Sequence, residues 1–180
     1  MPFLEVLTRC YKRPLMLANN RASLAAQTCR DWTQTLLIDD VGRGIGWSHE
    51  NMAAYASRLV GDYIWILDDD DMCIMPEFVA GVRSIAVRDD PDVIFVRMDH
   101  GGGRILPTKY WGQAPRCGEI GVSAFVVRRA VWQAHADAMV PGMYTSDYEF
   151  IRSIWESTPT CYWWDAIASK VQKQSLGEAE

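Results

Sequence analysis

The stretch Tyr63-Ile64-Trp65-Ile66-Leu67-Asp68-Asp69-Asp70-Asp71 decides the fold of this chain. Its apolar first part predicts a strand over 63–67 that is buried on both faces, which is typical of parallel sheets covered by helices. Aspartates then follow at four successive positions. Because open α/β sheets bind ligands at the carboxyl ends of their strands, this acidic run predicts a binding site at the edge of the sheet.

Strands and helices alternate on both sides of this stretch. The predicted strands are 3–8, 33–38, 63–67 and 93–97, and the predicted helices between them are 15–28, 48–59 with Ser48 as the N-cap, and 76–87. A loop rich in Gly and Pro over 100–118 is followed by a strand over 120–127, helices over 129–138 and 146–155, and strands over 161–171. This alternation predicts an α/β fold with a mostly parallel central sheet flanked by helices.

Length and composition limit the possible functions. The chain has 180 residues, of which 49% are hydrophobic and 23% charged, as expected for one globular domain. A net charge of -5 without a dense Lys/Arg run gives no support for a nucleic-acid partner. No apolar run approaches the ~20 residues of a membrane span, and the first residues do not resemble a signal peptide, so a cytoplasmic protein is expected. Five scattered cysteines indicate neither a disulfide framework nor a thiolate zinc site.

The aspartates suggest metal chemistry. Four adjacent carboxylates repel one another unless a cation compensates them, and oxygen ligands favour Mg²⁺ or Mn²⁺ over zinc. The alternative is a solvated acidic turn. Asp39-Asp40 ends the preceding strand in the same way, and one of these carboxylates could accept hydrogen bonds from a nucleobase or a ribose. The alternative there is that Asp caps the turn before Gly42.

Other common motifs are absent. Gly42, Gly44 and Gly46 do not form G-x-G-x-x-G because Trp47 occupies the required third position, and no P-loop, G-x-S-x-G or H-E-x-x-H pattern occurs. His49 could touch a phosphate in the crevice or lie at the surface start of a helix. Asp147 could act as a general base if it faces the acidic run, or could favour the dipole of its helix.

Taken in order, several motifs resemble family 2 glycosyltransferases of the GT-A fold. The resemblance is carried over about residues 3–80 by Tyr11-Lys12-Arg13-Pro14, Ser23-Leu24 with Gln27-Thr28, Leu37-Ile38-Asp39-Asp40, Asn51, Gly61-Asp62-Tyr63-Ile64, Leu67-Asp68-Asp69-Asp70-Asp71 and Pro76. Weaker similarity continues in Gly121-Val122-Ser123, Val127-Arg128-Arg129 and Ser146-Asp147-Tyr148-Glu149-Phe150 with Arg152.

The resemblance implies a metal-dependent, inverting transfer of a sugar from a nucleotide-diphosphate sugar, usually UDP-linked, to an acceptor hydroxyl. By position, the donor-binding residues would be Thr8 or Arg9 beside the base pocket, Asp40 on the base, Asp68 on the ribose and its neighbour Asp69. Asp70 would bind Mn²⁺ or Mg²⁺. Asp147 would be the catalytic base.

The resemblance also implies a division of the chain. The GT-A domain would span 1–171, with a nucleotide-binding half over 1–99, an acceptor-side half over 100–171 and a polar tail over 172–180. The loop 100–118 would order over the donor. No histidine stands near Lys173-Gln174-Ser175 as a second metal ligand, so Asp70, diphosphate and water would hold the metal. The acceptor would be small or part of a larger partner.

Two other functions remain open at this stage. One is a nucleotidyltransferase with a similar sheet, in which Arg9, Lys12 and Arg13 would take the part of a phosphate loop. The other is a sugar-binding or nucleotide-binding module that keeps the fold without turnover.

Overall fold

The computed structural model describes residues 1–140 and 144–173. The strands are β1 (Leu4–Cys10), β2 (Trp32–Ile38), β3 (Tyr63–Ile66), β4 (Asp71–Cys73), β5 (Val93–Asp99), β6 (Ile105–Leu106), β7 (Phe125–Arg128) and β8 (Cys161–Val171). The α-helices are α1 (Pro14–Ala25), α2 (Gly44–Tyr55), α3 (Phe78–Asp89), α4 (Arg129–His135) and α5 (Ser146–Glu156). Single 3₁₀ turns cover Ala56–Arg58, Val122–Ala124 and Ala136–Met139.

All these strands form one sheet in the order β2-β1-β3-β7-β5-β8-β4, with β6 paired to β5. Strands β1, β2, β3, β5 and β8 run in one direction, and β4, β6 and β7 run in the other. The predicted α/β fold with a mostly parallel sheet is therefore confirmed. The antiparallel β7 lies in the middle, so strands from the predicted nucleotide-binding and acceptor-side halves are interleaved in the same sheet.

Helices cover both faces of the sheet, and each face has its own core. On one face α1 and α3 pack on a cluster around Val6, Trp65 and Phe78. On the other face α2, α4 and α5 pack on a cluster around Leu7 and Phe125. Neighbouring residues of a strand point to opposite faces, which is why Val6 and Leu7 belong to different clusters.

Two predicted elements differ from the structure. Helix α2 begins at Gly44 rather than at Ser48, because the carboxylate of Asp39 accepts backbone N–H groups at the start of the helix and so caps it earlier. The apolar residues of the predicted strand 33–38 also favour a buried position, but strand β2 lies at the edge of the sheet and its Ile38 is 58% exposed.

Further predictions concern cysteines, membrane spans and the chain end. All five cysteines are free. Within the described ranges, none of the helices combines the length and the apolar character needed to cross a membrane. Of the predicted polar tail, residues 174–180 lie outside the described residues. Gln172, at its beginning, contacts the body of the protein, as described below.

Candidate active site

A cavity of about 650 Å³ lies at the carboxyl ends of the five strands that share one direction. This is the position at which open α/β sheets bind ligands, and the volume suits a nucleotide-sized molecule. Its lining includes residues at the ends of these strands (Cys10, Asp39, Asp68, Met98, Val171), residues of α2 and α5 (His49, Asp147, Tyr148), and residues of the 100–118 segment (His100, Arg104, Leu106, Cys117, Gly118). Residues predicted to carry function from both halves of the chain therefore meet in one cavity.

The acidic turn, defined here as Asp68 to Asp71, is paired with arginines from the first β-α connection. Arg9 makes a bidentate contact with Asp68, with Nε 2.6 Å from Oδ1. Nη2 of Arg13 lies 2.5 Å from Oδ1 of Asp69, and its Nη1 contacts Asp70. The compensating positive charge that the sequence required is thus supplied within the chain itself.

Asp147 lies at the beginning of α5 and faces the same cavity. Its Oδ1 is 3.2 Å from Nε2 of His49 and 3.7 Å from Nη1 of Arg9. Burial opposes ionisation of Asp147, but the charge of Arg9 and the hydrogen bond with His49 outweigh it, so the pKa of Asp147 lies below its usual value. Asp147 is therefore ionised at neutral pH and can accept a proton.

Burial has the opposite result inside the acidic turn. It raises the pKa of Asp69 to about 6, although Arg13 and the backbone N–H of Tyr11 oppose the rise. It raises the pKa of Asp71 to about 8, and the negative charges of Asp68 and Asp70 add to the effect. Asp71 therefore ionises less readily than an ordinary aspartate.

Two carboxamides hold the backbone of the acidic turn. Nδ2 of the buried Asn20 lies 2.9 Å from the carbonyl oxygen of Asp68 and 3.0 Å from that of Asp71. Gln172 donates from its backbone N–H to the carbonyl of Asp70 at 2.7 Å and from its side chain to that of Asp69 at 3.2 Å. The carboxylates of Asp68, Asp70 and Asp71 thus line the cavity on a turn whose carbonyl groups are already satisfied.

The two aspartates that follow β2, Asp39 and Asp40, have different surroundings. Asp39 lines the cavity, and its carboxylate accepts the backbone N–H groups of residues 41–44. Partial desolvation opposes ionisation, but these four N–H groups hold the pKa of Asp39 below its usual value. The turn-capping alternative therefore describes Asp39. Asp40, the predicted base-binding residue, is exposed and pairs with Arg43 at 3.5 Å.

The predicted site residues divide by their place in the fold. Arg9, Asp68, Asp70 and Asp147 line the cavity; Thr8, Asp40 and Asp69 are not among its described lining residues. Thr8 is fully buried on the α1 face, where its hydroxyl accepts a hydrogen bond from Gln34 at 2.8 Å. Asp69 is covered by Arg13.

Sequence reasoning missed some residues of the site and left the role of others undecided. His49 is now placed beside Asp147, and Arg13 beside the acidic turn. Arg13 belongs to a motif that carried the resemblance, so its position was a usable signal. Asn20 and Gln172 had no such signal, because their partners are backbone carbonyls distant in sequence.

The segment 100–118 forms one wall of the cavity rather than a separate loop. Its strand β6 pairs with β5, and Arg104 donates to the carbonyl of Gly118. Trp111 packs edge-on against Trp163 with ring centroids 5.0 Å apart. Cζ of Arg97 lies 4.2 Å from the centroid of the Trp111 ring. The segment is therefore anchored to the sheet at several points.

The fold is the GT-A fold of glycosyltransferases, as comparison with solved structures shows. TarS from S. aureus, residues 1–349 in complex with UDP, aligns with a TM-score of 0.73 and 12% identity over 97% of this chain and 61% of that chain. The mannosyltransferase PcManGT from Pyrobaculum calidifontis, in complex with GDP-Man and Mn²⁺, aligns with a TM-score of 0.67 and 10% identity over 98% of this chain and 59% of that chain.

A third similar structure is close to this chain in length. A197 from STIV aligns with a TM-score of 0.51 and 12% identity over 100% of this chain and 98% of that chain. The chain spans about 61% of the length of TarS residues 1–349. No protein-family model matches the chain, and no curated protein matches its sequence. At these identities the similarity establishes the fold alone.

Proposed function

We propose that this chain is a metal-dependent, inverting glycosyltransferase that moves a sugar from a UDP-linked donor to an acceptor hydroxyl. The observation that carries the proposal is the position of Asp147, which lines the same cavity as the acidic turn although 76 residues separate it from Asp71 in the chain. Arg9 links the two, since it contacts both Asp68 and Asp147. Nucleotide-sugar ligands in TarS and PcManGT structures support a donor of this class.

The chemistry of the acidic turn fits a divalent cation. Asp70 is 34% exposed and lines the cavity, so its carboxylate oxygens are accessible to Mn²⁺ or Mg²⁺. Within residues 1–140 and 144–173, no three His, Cys, Asp or Glu side chains form a metal-binding group. Mg²⁺ typically uses one or two carboxylates together with substrate phosphates and water, so a set built on Asp70 is sufficient. When bound, the metal would stabilise negative charge on the departing diphosphate.

The chain's own residues supply the remaining steps. Asp147 accepts the proton of the acceptor hydroxyl as that oxygen attacks the anomeric carbon from the face opposite the diphosphate. A positioned base of this kind typically contributes about 10²- to 10⁴-fold. Asp68 accepts hydrogen bonds from the ribose. The wall formed by 100–118 excludes water, which limits hydrolysis of the donor. Donor contacts of Thr8, Asp40 and Asp69 stay predictions. These residues are not among the described lining residues of the cavity, so their positions do not support the predicted contacts.

The test is sugar transfer and slow donor hydrolysis with UDP-sugars and GDP-sugars, with Mn²⁺ and with EDTA. Asp147→Asn is expected to lose at least about 10²-fold in turnover while UDP binding by calorimetry is kept. The matched control is Glu149→Gln, which removes a carboxylate of the same helix that pairs with Arg152 instead. Full activity of Asp147→Asn would remove Asp147 from the mechanism.

The same assays separate the two alternatives. Donor binding without hydrolysis or transfer under any metal would favour the binding module. Release of pyrophosphate from a nucleoside triphosphate would favour a nucleotidyltransferase. Activity that survives EDTA treatment would contradict the metal dependence.

A further inference from the structure

The acidic turn carries its own cation at the position assigned to the metal. The guanidinium of Arg13 spans two neighbouring carboxylates, with Nη2 2.5 Å from Oδ1 of Asp69 and Nη1 in contact with Oδ2 of Asp70. Asp70 is the only protein ligand of the metal in the proposed function. A divalent cation at Asp70 would therefore meet a positive charge already in contact with its ligand.

Arg13 is held less firmly than the other arginine of the turn. Arg9 is 12% exposed and is enclosed by Asp68, His49 and Asp147. Arg13 is 32% exposed, and its polar contacts in the described structure are with Asp69 and Asp70. It also lies in the short connection between β1 and α1. Its side chain can thus move away from Asp70 without disturbing the core.

We propose that Arg13 is a built-in competitor of the divalent cation, occupying Asp70 in the metal-free protein and leaving it when the metal binds. This inference rests on the proposed function, because it takes Asp70 as the metal ligand. Two cations that share one carboxylate repel each other at close range. Coupling between two binding events is reciprocal, so the contact that Arg13 makes weakens metal binding by the same factor by which the metal weakens that contact.

The contact also explains how the turn keeps its form without metal. Asp69 is buried and would be an uncompensated carboxylate if Arg13 were absent. Since Arg13 reaches both carboxylates, it can remain near Asp69 when the metal takes Asp70. The metal therefore replaces Arg13 at Asp70, while Arg13 continues to compensate the buried carboxylate of Asp69.

The experiment is a Mn²⁺ titration of the full chain with saturating UDP, in which electron paramagnetic resonance measures free Mn²⁺ and a titration of UDP alone is subtracted. Arg13→Gln is expected to bind Mn²⁺ about tenfold more tightly than the wild type. The matched control is Arg43→Gln, which removes the same charge from an exposed guanidinium that pairs with Asp40. Its affinity is expected to change by less than about twofold. Unchanged or weaker binding in Arg13→Gln, or equal tightening in both variants, would overturn the inference.

A third variant separates this inference from the proposed function. Asp70→Asn is expected to lose Mn²⁺ binding in both the wild-type and the Arg13→Gln background. If Asp70→Asn binds Mn²⁺ like the wild type, the metal assignment fails; if it loses Mn²⁺ and Arg13→Gln does not tighten binding, only the competition fails. Should Arg13→Gln not fold, Arg13→Lys replaces it. A lysine ammonium lacks the planar fork of a guanidinium and holds two carboxylates less firmly, so this variant is expected to bind Mn²⁺ more tightly than the wild type, and equal or weaker binding overturns the inference.

Discussion

The imidazole of His49 faces the carboxylate of Asp147, with Nε2 3.2 Å from Oδ1. The same Nε2 lies 3.0 Å from Nη1 of Arg9. A guanidinium can only donate and a carboxylate can only accept, so Nε2 either donates to Asp147 or accepts from Arg9, and the ring tautomer decides which. His49 is 1% exposed and cannot turn away from these partners without moving α2. It therefore fixes the position of Arg9 beside the proposed base.

Replacing His49 tests this positioning role. We expect His49→Leu to lower kcat about tenfold and to change the donor KM little, because the imidazole that contacts both Arg9 and Asp147 is lost while Asp68 keeps its bidentate contact. His135→Leu is the control, since His135 contacts Ser153 at 2.8 Å and is not a described lining residue of the cavity. A larger effect on donor KM than on kcat would assign His49 to donor binding instead.

Asp147 should make stability depend on pH in a definite direction. Its folded-state pKa is lowered, so its contribution to stability is present above the ordinary carboxyl pKa and is lost as the pH falls through the lowered value. Asp147→Asn is therefore expected to be less stable than the wild type at pH 7, and the difference should shrink as the pH falls through the carboxyl range. Urea unfolding between pH 3 and pH 7 measures it.

The exposed Asp165 provides the control for that experiment. Asp165 pairs with Arg97 but is 65% exposed, so Asp165→Asn should change the free energy of unfolding little at any pH. A difference between the wild type and Asp147→Asn that grows on acidification would contradict the lowered pKa of Asp147.

Much of the fold follows from local sequence patterns. The apolar run before Asp68 predicts the buried strand, and the repeated alternation predicts the sheet and its helices. The place of β7 between β3 and β5 could not be predicted, because strand order depends on contacts between residues far apart in the chain. Strand β4 was also missed, since its pairing with β8 requires knowledge of that same order.

The site was predictable to a smaller extent. Acidic strand ends indicated that Asp39-Asp40 and Asp68 to Asp71 would face one crevice; Asp39 and Asp68 line the cavity, whereas Asp40 is not among its described lining residues. The family resemblance brought Asp147 to the same site. The choice between Thr8 and Arg9 was left open, although adjacent residues of one strand point to opposite faces. Only the structure shows that Arg9 is on the face of α2 and α5 and that Thr8 is on the other. Pairing of Arg13 with the acidic turn is likewise a tertiary contact without a local pattern.

Asn20 should be important for stability as well as for the site. Its side chain donates to carbonyl groups of the acidic turn and accepts from Gln34 at 2.7 Å. Asn20→Ala leaves these buried groups without a partner, at about 1–3 kcal/mol for each unsatisfied group. We expect a loss of about 2–4 kcal/mol in the free energy of unfolding, measured in urea, together with weaker Mn²⁺ binding.

The neighbouring Asn19 is a matched control for Asn20. It is exposed and contacts Gln172 at 3.0 Å near the surface. Asn19→Ala should change the free energy of unfolding by about 0.5 kcal/mol or less. Equal losses in the two variants would mean that the carbonyl contacts of Asn20 are not what stabilises the turn.

Gly42 and Gly44 allow a test of the nucleotide side of the cavity. Both have positive φ, +81° and +86°, so alanine at either position is strained by about 1 kcal/mol. A Cβ at Gly42 would also lie 2.5 Å from Oη of Tyr11, whereas a Cβ at Gly44 would meet nothing within 4 Å. Tyr11 is 41% exposed and lines the cavity. Its ring would therefore move aside, and the turn would stay folded.

The two alanine variants should therefore separate strain from ligand contact. Gly42→Ala and Gly44→Ala are expected to lose similar thermal stability, because both are strained in the same way. Only Gly42→Ala is expected to weaken UDP binding, by about three- to tenfold, since a displaced Tyr11 ring changes the wall of the proposed nucleotide cavity. Calorimetric titration with UDP and Mn²⁺ measures the affinity. Equal UDP affinity in the two variants would place the base away from Tyr11, at another wall of the cavity.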